Sequence, residues 1–229
     1  MKDLVSIGKN YPSNKNKSGF LLIYENYFKE LRLKKINILE IGIDKGDSLR
    51  IWRDYFPNAN ICGVDIKKKN FKINNVNFFI GDQSNNFFLK TVIDKYKFFD
   101  IIIDDGSHLC KHIVSSFNFL YPYLNDSGLY IIEDLQTSYV PRYGGSRINL
   151  RKKSTSMNFL KQLCDSTNYE QFNRPFYKNN KFDGLIKSIN FHQNIVFINK
   201  GTTQKYYYPN KPKNTLLEKI KNILSKLLN

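Results

Sequence analysis

Five short runs rich in β-branched and aromatic residues recur between residues 36 and 133, and each ends within two residues of an acidic side chain. They are Ile36–Ile41 (INILEI), Ala59–Asp65 (ANICGVD), Val76–Ile80 (VNFFI), Phe99–Asp104 (FDIIID) and Gly128–Glu133 (GLYIIE). Runs so continuously apolar are expected of strands covered on both faces, the condition of a parallel sheet. Between them, Asp47–Tyr55, Phe87–Tyr96 and Ile113–Leu124 have the length and apolar spacing of crossover helices. Two further runs, Ile186–Phe191 and Ile195–Asn199, flank His192-Gln193-Asn194 and read as a hairpin. The fold class predicted is α/β, with a mostly parallel seven-stranded sheet closed by an antiparallel hairpin.

This pattern divides the chain. Residues 1–35 form a helical cover, in which Lys9–Phe28 begins as a polar loop and becomes an amphipathic helix with Leu21, Tyr24 and Phe28 on one side. That helix either covers a sheet edge or closes as a lid over a ligand. Residues 36–200 form the α/β domain, and the polar, aromatic stretch 136–183 is read as an irregular insertion over its active face. Residues 201–229 hold a linker, Tyr207–Asn214, and a basic amphipathic helix, Thr215–Asn229. Leu217, Ile220, Leu224 and Leu227 of that helix suit docking to a partner subunit in a homo-oligomer, with peripheral contact to an anionic inner-membrane surface as the alternative.

At 229 residues the chain is long enough for one core with appendages. Its net charge of +16 invites a polyanion partner. However, 29 of the 36 basic residues are Lys and only 7 are Arg, beside 28 Asn, a combination that reflects coding bias as much as binding. No Asn-Pro-Pro-Tyr motif for a flipped base and no appended RNA-binding module is present, so a nucleic-acid substrate is the weaker expectation. Cys62, Cys110 and Cys164 lack metal-like spacing and are expected to be buried thiols of a cytoplasmic protein. No secretory leader is read at the start, and no apolar run approaches the roughly 18–20 residues of a membrane span.

The chemistry is expected where the strands end. The first βα turn reads Glu40-Ile41-Gly42-Ile43-Asp44-Lys45-Gly46, with Gly42 and Gly46 allowing a tight turn and a close approach to a ligand. Asp65 can accept both hydroxyls of an adenosine ribose, and Gly81-Asp82-Gln83 is placed to meet the adenine. An acid such as Glu40 is unfavourable beside a pyrophosphate but favourable to an ammonium, so the adenosine ligand expected is S-adenosylmethionine and not a dinucleotide. Ser48 and Asp104 complete the expected cofactor set.

Asp104-Asp105-Gly106-Ser107-His108 follows the fourth strand and Glu133-Asp134 the fifth. Four carboxylates at neighbouring strand ends would repel unless a cation or shared protons offset them. A hard divalent ion such as Mg²⁺ is the natural occupant, while one of the four acids is expected to cap a helix instead. His108, three residues past Asp105, is the candidate general base, with Asp105 beside it. His112, one helical turn on, is expected behind the site or exposed, and His192 in the hairpin turn.

Taken together, NILEIGIDKGDSLRIWRDYFPNANICGVDI, FDIIIDDGSH and GLYIIEDLQTSYVPRYGG resemble the metal-dependent sugar O-methyltransferases of the macrocin and mycinamicin type and the related capsule and rhamnosyl O-methyltransferases. The resemblance runs from about Asn37 to Gly145. It implies a Rossmann-like class I methyltransferase fold and a Mg²⁺ site on Asp105, Glu133 and Asp134. His108 would be the base, and Glu40, Gly42, Asp65, Asp82 and Gln83 would line the S-adenosylmethionine site. It further implies methylation of a sugar hydroxyl, in surface polysaccharide or glycoside biosynthesis. Gln136, Tyr139, Arg142 and Tyr143, in the insertion, are expected to meet the acceptor. Asp44 stands where that family has the middle glycine of its turn, and Asn14-Lys15-Asn16-Lys17 where it often has Gly-Thr-Asp-Lys.

Overall fold

The computed structural model describes residues 1–169, 180–202 and 220. Its centre is a seven-stranded sheet of β1 (Asn37–Ile41), β2 (Asn60–Asp65), β3 (Val76–Ile80), β4 (Phe99–Asp104), β5 (Leu124–Ile132), β6 (Ile186–His192) and β7 (Ile195–Lys200). The order is β3-β2-β1-β4-β5-β7-β6. The first five strands are parallel, whereas β7 runs antiparallel to both β5 and β6. Strand order reverses between β1 and β4, the point at which an open α/β sheet forms a crevice beyond its carboxyl ends. The register places Ile41 opposite Asp104 and Asp104 opposite Ile132, so the acids of three strand ends share one edge.

Alternate strand residues face opposite layers. Leu39, Ile41, Val64, Ile102, Tyr130 and Ile132 pack under α5 (Asn86–Tyr96), α6 (Cys110–Leu120) and α7 (Ser156–Ser166). Ile38, Ile61, Ile101, Ile103, Ile131 and Phe197 face α1 (Leu4–Gly8), α3 (Phe20–Phe28) and α4 (Asp47–Tyr55). Each fully buried side chain of this size contributes about 1.5–3 kcal/mol relative to leaving it exposed. On the second face, Tyr24 meets Trp52 at 5.1 Å and Phe197 at 5.3 Å between ring centroids, which ties α3 to α4 and to the closing hairpin.

Most elements fall within a residue or two of expectation, and the exceptions have local causes. The helix expected at 113–124 runs Cys110–Leu120 and gives way to a 3₁₀ turn, Tyr121–Tyr123, because Pro122 cannot continue it. β5 starts at Leu124, not Gly128, and keeps pairing with β4 across an irregularity between Phe99 and Ile101. The stretch expected to be irregular contains α7, whose N-cap Thr155 accepts from Asn158 N at 3.1 Å and which buries Leu160 and Leu163 in the core. Cys62 and Cys110 are buried, but Cys164 is exposed, contrary to expectation. The linker at 207–214 and the C-terminal helix lie outside the described residues, Ile220 apart. Among the described residues no helix is long and apolar enough to cross a membrane.

Candidate active site

A cavity of about 490 Å³ opens at the carboxyl edge. One wall is the N-terminal segment from Pro12 to Ser18; another is the β1–α4 turn with Gly42, Asp44, Lys45 and Ser48; the floor carries Asp65, Asp105, His108, Glu133 and Asp134. A second cavity of about 160 Å³, sharing Gly42, Asp65 and Gly106 with the first, continues to Asp82, Gln83, Ser107 and His112. The size is that of a small-molecule or cofactor cleft.

The turns that shape it are fixed by the chain itself. Gly42 has φ 97°, and a Cβ there would lie 2.1 Å from the Asp105 carbonyl oxygen, so this glycine lets the β1 and β4 loops touch. Asp65 accepts from Ile43 N at 3.0 Å, Asp44 N at 3.2 Å, Lys67 N at 2.8 Å and the Lys69 ammonium at 2.7 Å. Burial opposes ionisation there, but these donors hold the carboxyl below its ordinary value. Asp82 is likewise lowered, chiefly by the Ser84 backbone N–H at 2.7 Å.

Three residues expected to bind cofactor line neither cavity and are tied to the scaffold. Gly46, at φ 76°, heads α4 and faces Phe71 and Ile73, outside both cavities. Asp104 points away from the cleft, where it accepts from Ser116 Oγ at 2.6 Å and Gln83 Nε2 at 3.0 Å; burial pushes its carboxyl up to about 6. Glu40 is fully buried behind the cleft, accepting from Ser48 Oγ at 2.8 Å and Trp52 Nε1 at 3.2 Å. Burial raises Glu40 to about 7, with Lys15 opposing the rise. Gln83 both donates to Asp104 and accepts from Ser107 N at 2.7 Å, joining the β3 and β4 ends.

The residue missed in the sequence is Lys15. It sits in α2 (Asn14–Lys17), a single turn capped by Ser13 and tied down by Asn16 Nδ2, which donates to Gly8 O at 2.8 Å and Tyr11 O at 2.9 Å. This anchoring buries Lys15 to 3% exposure, and its ammonium lies 2.7 Å from Asp105 Oδ2, 2.6 Å from Glu133 Oε1 and 3.4 Å from Glu40 Oε1. Burial alone would lower its pKa, but the three carboxylates outweigh that and raise it well above the ordinary value. The chain thus carries an internal cation for the clustered acids. Tyr24 Oη adds a donation to Glu133 Oε1 at 2.5 Å. Burial and the neighbouring Asp105 push the Glu133 carboxyl upward while Lys15 pulls it down.

At the open side, His108 at φ 57° and Asp134 at φ 55° both hold left-handed backbone, a cost of order 1–3 kcal/mol each. His108 Nε2 lies 3.5 Å from Asp134 Oδ2. One potential ligand atom each of Asp105, His108 and Asp134 lies within 4.8 Å of the others, and the two carboxylates are the oxygen donors that a hard divalent cation takes, with the imidazole beside them. Glu133, expected as the third ligand, is not in that group; its Oε1 is engaged by Lys15 and Tyr24. None of Gln136, Tyr139, Arg142 and Tyr143 lines the cavity. Gln136 reaches Asp134 at 3.1 Å, and Tyr143 meets the His108 ring edge-on at 6.4 Å, with the Arg142 guanidinium 4.9 Å over its ring. His112 lines the smaller cavity and bonds Ser107 Oγ at 3.0 Å, while His192 Nε2 meets Tyr27 Oη at 2.9 Å, remote from the acids.

No protein-family model matches the chain. It is 34% identical over 199 residues to the 8-demethyl-8-(2-methoxy-alpha-L-rhamnosyl)-tetracenomycin-C 3'-O-methyltransferase of Streptomyces olivaceus, covering 83% of this chain and 51% of the relative. It is also 34% identical over 190 residues to the mycinamicin VI 2''-O-methyltransferase of Micromonospora griseorubida, covering 78% and 47%. A methyltransferase from the mycinamycin biosynthetic pathway, solved in complex with Mg and SAH, superimposes with a TM-score of 0.83 at 29% identity, over 92% of this chain and 58% of that one. The chain spans about half the length of the curated relatives it matches. By sequence and by fold it is a relative of the mycinamicin- and macrocin-type sugar O-methyltransferases, built on the class I methyltransferase sheet.

Proposed function

We propose that the chain is an S-adenosylmethionine-dependent O-methyltransferase that acts on a sugar hydroxyl with the help of Mg²⁺. The observation that carries this is a pair of adjoining cavities, sharing Gly42, Asp65 and Gly106, of which one is lined by Asp82 and the other by the Asp105, His108 and Asp134 cluster. The names of the relatives, which specify methyl transfer to glycosides, support the sugar. The finer setting, a capsule or lipopolysaccharide, has no counterpart in those names.

When bound, the sulfonium would supply an activated methyl group, and Mg²⁺ on Asp105 and Asp134 would supply Lewis acidity toward the acceptor hydroxyl. The chain's own part is to align the reactants and remove a proton. His108 accepts the hydroxyl proton at Nε2, and Asp134 beside it stabilises the imidazolium. Lys15 keeps Glu133 and Asp105 in fixed positions, and the Pro12–Ser18 wall excludes water from that side of the cleft. Asp65 and Asp82, both held ionised, offer acceptors for the ribose and adenine ends.

The test is S-adenosylhomocysteine release with a panel of sugar acceptors, in EDTA and after addition of Mg²⁺. Turnover should require both sugar and metal; full activity in chelator would remove the metal role, and failure to bind S-adenosylmethionine in calorimetry would remove the reading as a whole. His108→Ala should lower kcat by roughly 10²–10⁴ while leaving Mn²⁺ affinity near that of the wild type. Loss of Mn²⁺ binding in that variant would make the imidazole a ligand and not the base.

A further inference from the structure

The acidic edge is followed by its opposite. Residues 135–164 contain no Asp or Glu but carry Arg142, Arg147, Arg151, Lys152, Lys153 and Lys161. Three of the seven Arg of a chain that otherwise prefers Lys fall between 142 and 151. Coding bias toward Lys does not account for a local concentration of Arg. Guanidinium presents a planar fork of donors that matches phosphate bidentately, which an ammonium cannot do.

This segment is a built structure. Gly145 N donates to Val140 O and Ser146 N to Ser138 O, both at 3.1 Å, folding it back on the turn that follows β5. Lys152 Nζ clamps Gly144 O at 3.2 Å, and Asn149 Oδ1 accepts from Arg151 N at 3.0 Å. Arg142, Arg147 and Arg151 are exposed, and among the described residues none is ion-paired to a carboxylate. Arg142 stacks on Tyr143, whose ring meets His108. Arg142 therefore lies one ring away from the candidate base, at the start of the Arg-rich stretch that follows β5.

We propose that the segment 142–151 is an anion site for the acceptor, and that the acceptor is a sugar carried on a phosphate or diphosphate. This rests on the sugar O-methyltransferase reading and names its substrate class. The guanidiniums grip the phosphates while the sugar lies over Tyr143 with a hydroxyl toward His108. Nucleoside-linked and prenyl-linked diphosphate sugars share this chemistry. Ile148, 98% exposed, and Leu150, 53% exposed, follow Arg147 and precede Arg151 in the chain and offer an apolar contact to either carrier.

Two measurements test it. In the first, S-adenosylhomocysteine release is compared for a nucleoside diphosphate sugar, a short-chain prenyl diphosphate sugar and the neutral methyl glycoside of the same sugar. The wild type should favour one diphosphate carrier over the neutral glycoside by at least tenfold in kcat/KM, and the preferred carrier identifies the source. In Arg147→Glu/Arg151→Glu that ratio should collapse by tenfold or more, while calorimetric binding of S-adenosylmethionine reports that the variant is folded. Equal use of the neutral glycoside by the wild type, or an unchanged ratio in the variant, overturns the proposal. In the second, inorganic pyrophosphate is titrated in EDTA. Binding that depends on Arg147 and Arg151 with no transfer to any sugar would keep the anion site and remove the methyltransferase reading. Methylation of sugars by a protein that binds no pyrophosphate would do the reverse.

Discussion

The acids at the strand ends fall into two groups that look alike in the sequence. Glu40, Asp104 and Glu133 are buried and bonded to the chain's own donors, Ser48 and Trp52, Ser116 and Gln83, and Lys15 and Tyr24 respectively. Asp105 and Asp134, which follow Asp104 and Glu133 directly, keep some exposure to the cleft, although Asp105 also meets Lys15. Asp104 is the last residue of β4, whereas Asp105 and the Glu133-Asp134 pair lie just beyond their strands, where the backbone turns and Asp134 takes φ 55°. In each pair of consecutive acids, one is buried in the floor and the other keeps access to the cleft. A cluster of acids is therefore read correctly only after burial has divided it.

The strongest challenge to this division is Lys15→Met, which leaves buried carboxylates without their cation. Removing one partner of a buried ion pair costs about 3–5 kcal/mol, and chemical denaturation should show a loss of that order. Adding Glu133→Gln to Lys15→Met should recover part of it. A loss below 1 kcal/mol in the single variant would mean that the ammonium contributes little.

Next in size is the pH dependence contributed by Glu40. Its folded-state carboxyl is raised to about 7 from an ordinary 4.5, mainly by burial. The unfolded chain thus releases this proton first, and stability falls as pH rises from about 4.5 through about 7. For a shift of this size the change is of order 3 kcal/mol. Denaturation of metal-free protein across that window should show a component that Glu40→Gln abolishes; an unchanged slope in the variant would place the dependence elsewhere.

Cleft-facing acids should respond differently. Asp65→Asn weakens the grip on the β1–α4 turn and removes an acceptor from the cleft, so S-adenosylmethionine affinity in calorimetry should fall by about tenfold, or about 1.4 kcal/mol. Smallest in stability is Asp134→Asn, expected within about 0.5 kcal/mol of the wild type because the side chain is partly exposed. The same substitution should nevertheless weaken Mn²⁺ binding measurably. A large stability loss there, with metal affinity intact, would invert the comparison.

The parallel strands were legible because buried strands leave continuous apolar runs, and β3 and β4 have the bounds that those runs predict. Polar character misled in two places. Asn125-Asp126-Ser127 reads as a turn yet lies within β5, since pairing to β4 resumes beyond it. α7 was obscured because only Leu160 and Leu163 of its apolar residues are fully buried, too sparse a pattern within a stretch rich in Lys, Ser and Thr. Within the site, Asp105, His108 and Asp134 could be found by their place after strands, but Lys15 could not. The sequence marks it only through Asn14-Lys15-Asn16-Lys17, which stands where the resembled family often has Gly-Thr-Asp-Lys; its contacts depend on Asn16 and Phe20 fixing the N-terminal segment. Glu40, Asp104 and Gly46 lie at the carboxyl edge, but none of the three lines either cavity, a distinction that depends on burial and not on position in the sequence.

Lys15 also sets an order on the making of the site. Its partners Asp105 and Glu133 lie 90 and 118 residues downstream. During synthesis the first α2 turn emerges long before the acids it must neutralise, and β1, β4 and β5 have to pair before the ammonium has a destination. Such long-range closure carries a loop entropy that local helices do not. The cleft should accordingly be among the last parts of the fold to form, and a nascent chain that has not yet reached Glu133 has no means of forming it.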